Sequence, residues 1–219
     1  MLEINRMIRE KASELLPEII EYRRNIHQNP EISFKEYSTT DFIKNRLDEL
    51  GIENYQLTQT GVIGLIGKKS DRCVALRADI DALPIQEETG LEYSSKNPGI
   101  MHACGHDMHT SMLLGAAEIL KDFEDSLNGC VKLIFQPGEE MLPGGAKILI
   151  DKGVLEDPKP KAIFGQHIYP FANVGEICLS SGPVMASTDE LYWSGLGTGA
   201  HAGQPHAGTD RIVSSAPLI

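Results

Sequence analysis

Apolar residues spaced three and four positions apart predict two helices near the N-terminus. The first is predicted from about Asn5 to His27, with apolar side chains recurring between Ile8 and Ile20. Pro17 lies within this segment, at a position where the helix can split. The second is predicted from about Ser38 to Leu50, with Gly51 as its C-cap.

Short apolar runs further along the chain alternate with helical patterns. Strands are predicted over residues 61–67, 73–78, 131–136, 162–167 and 174–179, and helices from about 107 and over 144–152. Residues 84–101 show no period and are predicted to form a loop. Strands that alternate with helices indicate an α/β layered domain.

A change of pattern near residue 183 predicts a domain boundary. The sequence Ser-Gly-Pro at 181–183 interrupts the periodicity, and residues 187–194 predict a strand that opens a second unit. A loop rich in Gly and His leads from there to a helix predicted from Thr209. We therefore divide the chain into residues 1–183 and an incomplete second domain, 184–219, because so few residues cannot close a core of their own.

Charge and cysteine content narrow the choice of partners and compartment. The chain has 219 residues with 20 Lys and Arg against 31 Asp and Glu, a formal net charge of −11. This charge argues against nucleic acid and anionic membranes as partners. The four cysteines form no C-x-x-C pair, and the N-terminus is too charged for a signal peptide. We therefore expect a cytoplasmic protein with reduced thiols.

The densest cluster of chemically active side chains is MHACGHDMHT, residues 101–110. Cys104 and His106 stand two apart, and the Gly105 between them lets both side chains reach one point. A thiolate and an imidazole together suit Zn²⁺, Ni²⁺, Co²⁺ or Mn²⁺. Two other interpretations stay open from these residues alone, namely a buried thiol beside a helix cap and a Cys/His nucleophile pair.

Two further segments place side chains at predicted strand ends. The sequence QPGEE at 136–140 follows a strand, so one of Glu139 and Glu140 could bind a metal while the other faces a water. The alternative is a solvated acidic turn. His167 ends another predicted strand, and by itself it is a structural histidine. A parallel sheet would bring all these strand ends to one edge, which favours a metal site.

A loop of small residues, 199–210, carries His201 and His206. It is either a mobile glycine-rich turn or a loop whose imidazole binds a developing oxyanion.

Six segments in this order resemble the M20 metallopeptidase family. They are RADIDALP at 77–84, MHACGHDMHT at 101–110, FQPGEE at 135–140, GGAK at 144–147, GQHIYP at 165–170 and AHAGQPH at 200–206. More narrowly, the chain resembles the amidohydrolase branch, which contains N-acyl-amino-acid amidohydrolases, hippurate hydrolases and plant auxin-conjugate hydrolases. Any one segment would be a weak signal, whereas six in order span nearly the whole chain.

The resemblance implies a role for each matched residue. Metal ligands would be Cys104, His106, Glu140 and His167. Glu139 would be the general base, and His201 would be donated by the lid domain across a dimer to the partner's active site. The implied cofactors are divalent ions (Zn, Mn, Co or Ni), two per complete site. The implied fold is an α/β zinc-peptidase-like catalytic domain, with a mixed sheet flanked by helices, followed by the beginning of a small α+β, ferredoxin-like lid that forms a homodimer.

Two departures from the family pattern qualify this assignment. Dizinc peptidases carry His-x-Asp where this chain has Asp79-Ile80-Asp81, so Asp79 replaces a ligand. In those peptidases the residue at position 81 orients that ligand. In this chain two roles stay open for Asp81, namely orienting the residue at position 79 or simply holding the loop. Family members also run far longer, with more of the lid, returning strands and a final metal-binding histidine. We therefore expect this chain alone to be poorly soluble, to bind at most about one metal and to show little activity.

The expected function is hydrolysis of the amide bond of N-acetyl or N-benzoyl amino acids by a metal-activated water, with Glu139 as base. The first alternative is a dipeptidase or aminoacylase of the same superfamily. The second is a non-catalytic, truncated metal-binding fragment. The third is a cysteine hydrolase that uses Cys104.

Overall fold

The computed structural model describes residues 2–186 and 192–218. Two compact units divide the chain, Met1–Pro170 and Phe171–Ile219. The helices of the first unit are α1 (Leu2–Gln28), α2 (Tyr37–Glu49), α3 (His106–Asp122) and α4 (Gly145–Asp151). Its strands are β1 (Glu53–Tyr55), β2 (Val62–Gly67), β3 (Cys73–Asp79), β4 (Cys130–Gln136) and β5 (Pro160–Gly165). A single-turn 3₁₀ helix, Glu124–Ser126, follows α3.

The five strands form one mixed sheet in the order β1-β2-β4-β3-β5. The pairs β1/β2 and β2/β4 are antiparallel, whereas β3 pairs parallel with both β4 and β5. The carboxyl ends of β3, β4 and β5 therefore meet at one edge of the sheet. The predicted α/β fold with a mixed sheet flanked by helices is confirmed.

Both faces of the central strands are covered by apolar layers, because side chains alternate between the two faces along each strand. The edge strand β5 is exposed, and Ile163 and Phe164 on it are 47% and 60% exposed. On one face, Leu133 and Phe135 of β4 pack in a cluster with Ile43 of α2 and Leu114 of α3. On the other face, Ile134 of β4 packs with apolar side chains of α4 and the loop after it. Helix α1 packs on α3 and continues through Pro17. A proline removes one backbone hydrogen bond of a helix, and because Pro17 is exposed, the carbonyl that loses its partner can bind water.

The predicted boundaries of the regular elements hold to within a few residues, with three exceptions. The strand predicted over residues 162–167 ends at Gly165, so His167 lies in the following loop rather than at the strand end. Strand β1 is absent from the prediction. The strand predicted over residues 174–179 is wrong: this segment is irregular, and Val174 and Leu179 are fully exposed. An apolar run forms a strand only when a neighbour pairs with it, and no strand of the described chain pairs with this one.

The second unit contains one short helix, α5 (Arg211–Ser215), flanked by 3₁₀ turns at Pro205–Ala207 and Ala216–Leu218. Asp210 caps α5, because its carboxylate accepts hydrogen bonds from the backbone N–H groups of Ile212 and Val213. Most of the strand predicted over residues 187–194 lies outside the described residues, and residues 192–194 are irregular. The predicted domain boundary after residue 183 stays a prediction. Among the described helices, none combines the length and the apolar character that crossing a membrane requires.

Candidate metal centre

The predicted site residues of the first unit meet at the carboxyl edge of the parallel strands. Strand β3 ends at Asp79, β4 at Gln136 and β5 at Gly165, and a predicted motif follows each of them. Helix α3 begins at His106, directly after Cys104 and Gly105. The sheet topology therefore gathers segments that are far apart in sequence, since 86 residues separate Asp79 from Gly165, as is typical of active sites in open α/β sheets.

His106 lies at the centre of this edge and its ring is fully buried. Its Nδ1–H donates to the backbone oxygen of Asp81 at 2.9 Å, so Nε2 is the ring nitrogen that remains available to a metal. That Nε2 lies 3.7 Å from Oδ2 of Asp79 and 3.8 Å from Oε1 of Glu140, both too long for a hydrogen bond. The imidazole thus presents a bare nitrogen to two carboxylates.

Three sets of potential ligands share His106. Within each set, one ligand atom per residue lies within 4.8 Å of the others. The sets are Cys104/His106/His167, His106/Glu139/Glu140 and Asp79/His106/His109. In the first set, Sγ of Cys104 is 3.4 Å from Nε2 of His167. All five of the residues predicted for this unit are therefore brought together, and the structure adds Asp79 and His109.

Gly105 shapes the turn that lets Cys104 and His106 face the same point. Its φ of +86° lies in the left-handed region that glycine tolerates best. A Cβ at this position would come within 2.2 Å of Cδ1 of Ile168, in the loop that also carries His167. Both the backbone conformation and the close approach of that loop therefore require a glycine here.

Asp81 holds two parts of the centre at once. One oxygen of its carboxylate accepts from the Ser33 hydroxyl at 2.6 Å and from the backbone N–H of Glu140 at 3.0 Å. The other oxygen lies 3.3 Å from Nδ1 of His106. Burial raises the pKa of Asp81, but these hydrogen bonds outweigh burial and lower it overall. Asp81 therefore contacts His106 and holds the backbone at Glu140, which agrees with its holding the loop. The other role left open by the sequence, orienting a ligand at position 79, stays a prediction.

Asp79, which stands where dizinc peptidases carry a histidine ligand, is bound instead by neighbouring side chains. It accepts from Nδ1–H of His109 at 2.6 Å and from the guanidinium of Arg77 at 2.6 Å. Nε2 of His109 accepts the backbone N–H of Ile168 at 3.0 Å. Burial raises the pKa of Asp79, but His109 and Arg77 outweigh it and hold the pKa well below its usual range.

His109 is the main residue of this edge to which the sequence did not assign a role. The only signal was its position three residues after His106 on a predicted helix, which places both rings on one face. The two ring centroids are 5.4 Å apart, and the ring of His109 lies 4.6 Å from that of His167.

The acidic surroundings disfavour negative charge on the thiol and on one glutamate. Burial, followed by the Glu140 carboxylate, raises the pKa of Cys104 to about 12. Partial desolvation and the charge of Glu140 raise the pKa of Glu139. A cation placed among these groups would reverse both effects, because it favours the thiolate and the carboxylates.

The residues present fit a divalent metal. Two buried atoms that face each other, Nε2 of His106 and Oε1 of Glu140, have no hydrogen-bond partner anywhere in residues 2–186 and 192–218. Buried polar atoms without partners are rare, and an ion is one common explanation. Imidazole, thiolate and carboxylate together form a donor set typical of Zn²⁺ and similar borderline ions.

His201 lies in the second unit, where it is exposed. Its Nδ1 accepts the backbone N–H of Gly203 at 3.0 Å, inside the loop of small residues. Its assignment to an active site stays a prediction.

Comparisons with known proteins agree with the resemblance found in the six sequence segments. Residues 75–213 match peptidase family M20/M25/M40. N-acetyl-L-cysteine deacetylase of Bacillus subtilis is 47% identical over 209 residues, 94% of this chain and 50% of that protein. N-acyl-L-amino acid amidohydrolase of Geobacillus stearothermophilus is 40% identical over 219 residues, 99% of this chain and 58% of that protein.

A solved structure gives the same result for the fold. The YXEP protein of Bacillus subtilis, described as a dinuclear metal binding peptidase from the M20 family, aligns with a TM-score of 0.74 and 44% identity, over 78% of this chain and 48% of that chain. The chain thus spans about half the length of the relatives it matches. The family match covers more than half of the chain and confirms the resemblance found in the six motifs. The chain belongs to peptidase family M20/M25/M40.

Proposed function

We propose that the protein built on this chain hydrolyses the amide bond of N-acyl amino acids with the help of divalent metal. The observation that carries the proposal is the buried Nε2 of His106, which has no hydrogen-bond partner among the described residues and faces the partly buried Glu140 carboxylate, with Cys104 and the exposed Glu139 beside it. The similarity to an N-acetyl-L-cysteine deacetylase and an N-acyl-L-amino acid amidohydrolase supports the substrate class.

In this proposal, Cys104, His106, Glu140 and His167 hold the metal. The bound metal supplies Lewis acidity toward the acyl carbonyl and toward water. Two ions per complete site are proposed, as in the relative described as dinuclear. Which of Zn, Mn, Co or Ni is bound is left to direct metal analysis.

Glu139 is proposed as the general base. It accepts a proton from the attacking water and then delivers that proton to the leaving amine, so one carboxylate serves both transfers. Its position next to Glu140, in one set of potential ligands with His106, supports this assignment. His109 and Asp81 act only on the positions of the other groups.

The parts of the proposal beyond the first unit concern assembly. Residues 184–219 begin a lid domain that forms a homodimer, and His201 of one protomer stabilises the oxyanion in the active site of its partner. His201 lies in a loop of small residues, and such a loop can approach a substrate closely. This supports the proposed contact between His201 and the oxyanion. We also propose a cytoplasmic location, which the four free cysteines of the chain support.

The test uses a full-length version of the protein, because the chain alone is expected to show little activity. It measures turnover of a panel of N-acetyl, N-benzoyl and dipeptide substrates after separate addition of Mn²⁺, Co²⁺ and Zn²⁺. We expect N-acyl amino acids to be cleaved, a chelator to abolish cleavage, and added metal to restore it. Faster cleavage of dipeptides would reassign the chain to the dipeptidases. Inactivation by thiol alkylation that chelators do not mimic would indicate a cysteine hydrolase. Metal binding without turnover on any substrate would contradict the proposed activity.

A further inference from the structure

We propose that Glu36 is a positioning residue for the turn Gln136–Glu140, called here the QPGEE turn, and that it fixes the turn through its acceptor oxygen rather than through its charge. This inference rests on the proposed function, because the QPGEE turn carries Glu139 and Glu140. Glu36 itself lies outside the metal centre, directly before helix α2.

The carboxylate of Glu36 joins two distant backbone segments. Its Oε1 accepts the N–H of Phe34 at 2.9 Å and the N–H of Gly138 at 2.7 Å. The residue is fully buried. Gly138 stands directly before Glu139, so the bond holds the backbone from which the proposed base projects.

Phe34 and Gly138, whose N–H groups bind Glu36, both have backbone conformations with positive φ. Phe34 has a φ of +64°, which is uncommon for a residue with a side chain, and Gly138 has a φ of +57°. A Cβ on Gly138 would come within 2.3 Å of Cε1 in the Phe34 ring. The ring therefore lies directly against the Cα of Gly138, and the bond from Phe34 to Glu36 supports the strained backbone that puts it there.

The far end of the QPGEE turn is held from the same loop. Ser33 donates to Asp81, and Asp81 accepts the N–H of Glu140. Residues 33–36 thus fix the backbone on both sides of Glu139, at Gly138 directly and at Glu140 through Asp81. Catalysis needs this kind of anchoring, because a displacement of about 1 Å in a reacting group can cost about 10²-fold in rate.

Packing alone does not account for a buried glutamate, because burying a carboxylate costs free energy. The second oxygen of Glu36, Oε2, makes no hydrogen bond of normal geometry within the described part of the chain. Burial raises the pKa of the group, although Thr60 and the backbone N–H groups oppose that rise. A methionine would fill the space without that cost. Because both bonds use Oε1, a glutamine whose amide oxygen takes that place would keep them.

The experiment compares three substitutions in the 219-residue chain. Glu36→Met removes the acceptor and keeps the volume, and Glu36→Gln keeps an acceptor without the charge. Glu31→Met is the matched control, since Glu31 is in the same loop and its carboxylate binds only the start of α2, at Ser38 and Thr39. The readouts are far-UV circular dichroism, the Kd for Co²⁺ with its thiolate absorption band, and, in a preparation that turns over, kcat and KM.

We expect Glu36→Met to bind Co²⁺ about 10- to 100-fold more weakly and to lose about 10²-fold in kcat with KM little changed. Glu36→Gln should stay within about threefold of the parent, and Glu31→Met should lose stability but keep the Co²⁺ affinity. If Glu36→Met does not fold, Glu36→Asp replaces it, because the shorter side chain withdraws the acceptor from Gly138 and predicts the same weaker Co²⁺ binding.

A folded acceptor-deficient variant with the parent's Co²⁺ affinity would overturn the inference. So would a folded Glu36→Gln that loses as much affinity as Glu36→Met, because charge would then matter rather than the acceptor. The Co²⁺ measurement does not depend on turnover. Failure of the proposed function, seen as no amide cleavage by the parent, is therefore distinguishable from failure of this inference.

Discussion

His109 uses both of its ring nitrogens within the protein: Nδ1 donates to Asp79 at 2.6 Å, and Nε2 accepts the backbone N–H of Ile168 at 3.0 Å. No lone pair remains for a metal, whereas Nε2 of His106 is free. We therefore predict that His106→Ala weakens Zn²⁺ or Co²⁺ binding far more than His109→Ala does. The His109→Ala variant should bind the metal about 10- to 100-fold more weakly, because it releases the loop that carries His167. Titration with a metal-sensitive dye measures both. Equal losses would make His109 a ligand.

Glu139→Gln should separate metal binding from turnover. The amide keeps the size of the side chain but cannot take a proton from water, so we expect a loss of about 10²- to 10⁴-fold in kcat. Metal content, measured by elemental analysis, should persist. Glu140→Gln is the contrasting variant, since it should lose metal and turnover together. Near-normal turnover by Glu139→Gln would rule out its role as the base.

Cys104→Ala should lower metal affinity far more than the alanine substitution of Cys73, Cys130 or Cys178. Cys104 is the one cysteine that lies in a set of potential ligands among the described residues, and the other three lie elsewhere in the chain. Metal affinity of the parent should also rise with pH, because the ligand thiol must lose its proton on binding. Similar losses from all four substitutions would make Cys104 an ordinary thiol.

Gly105→Ala should destabilise the protein by about 1–3 kcal/mol and weaken metal binding. The alanine faces both a left-handed backbone and the side chain of Ile168. Gly99→Ala is the control, because Gly99 has a φ of +75° but no described atom within 4 Å of the point where a Cβ would lie. The difference in the free energy of unfolding between the two variants, obtained from urea titration, isolates the contact with Ile168. Equal free energies of unfolding for the two variants would show that the loop carrying Ile168 moves away from the added methyl group without cost.

The buried contact between His27 and Asp107 should make stability depend on pH. Nδ1 of His27 lies 2.8 Å from Oδ2 of Asp107, and this hydrogen bond raises the pKa of His27 against the opposing effect of burial. The other groups that face His27 are Arg23 on its own helix, Glu87 and Tyr93 in the loop after β3, and His102 before α3.

The sign of this dependence follows from linkage. Since folding raises the pKa of His27, its stabilising contribution is complete below the unfolded value of about 6.5 and disappears as pH rises through the folded value. We expect the free-energy difference between the parent and His27→Gln to shrink as pH rises above about 6.5. Urea titrations across this range measure it. A difference that grows with pH would contradict the assignment.

Periodicity predicted most of the fold because the helices and central strands obey simple burial patterns. Strand β4, buried at all seven positions, is predicted as a strand from its apolar run alone. The three residues of β1 are too few to show alternation. The run at 174–179 shows the opposite failure, because Val174 and Ile177 belong to an apolar pattern that no described neighbour pairs with.

The predicted ligands came together because each follows a strand or begins a helix at one edge of the sheet. The residues that hold them in place could not be predicted. Asp79 and His109 are 30 residues apart, and nothing local marks them as a pair. Glu36 precedes an amphipathic helix, where an acidic residue normally faces water, and only the fold places it against Gly138.

The bond between Glu36 and Gly138 spans 102 residues of chain, and the one between Arg23 and Asp107 spans 84. On a ribosome, Arg23 on α1 and Glu36 before α2 emerge long before either partner residue has been synthesised. Contacts of such separation are slow to close, because the chain loses loop entropy before any contact compensates for it. Nascent chains that stall before residue 107 would therefore contain Arg23 and Glu36 without either partner, and this region would be exposed to chaperones and proteases during synthesis.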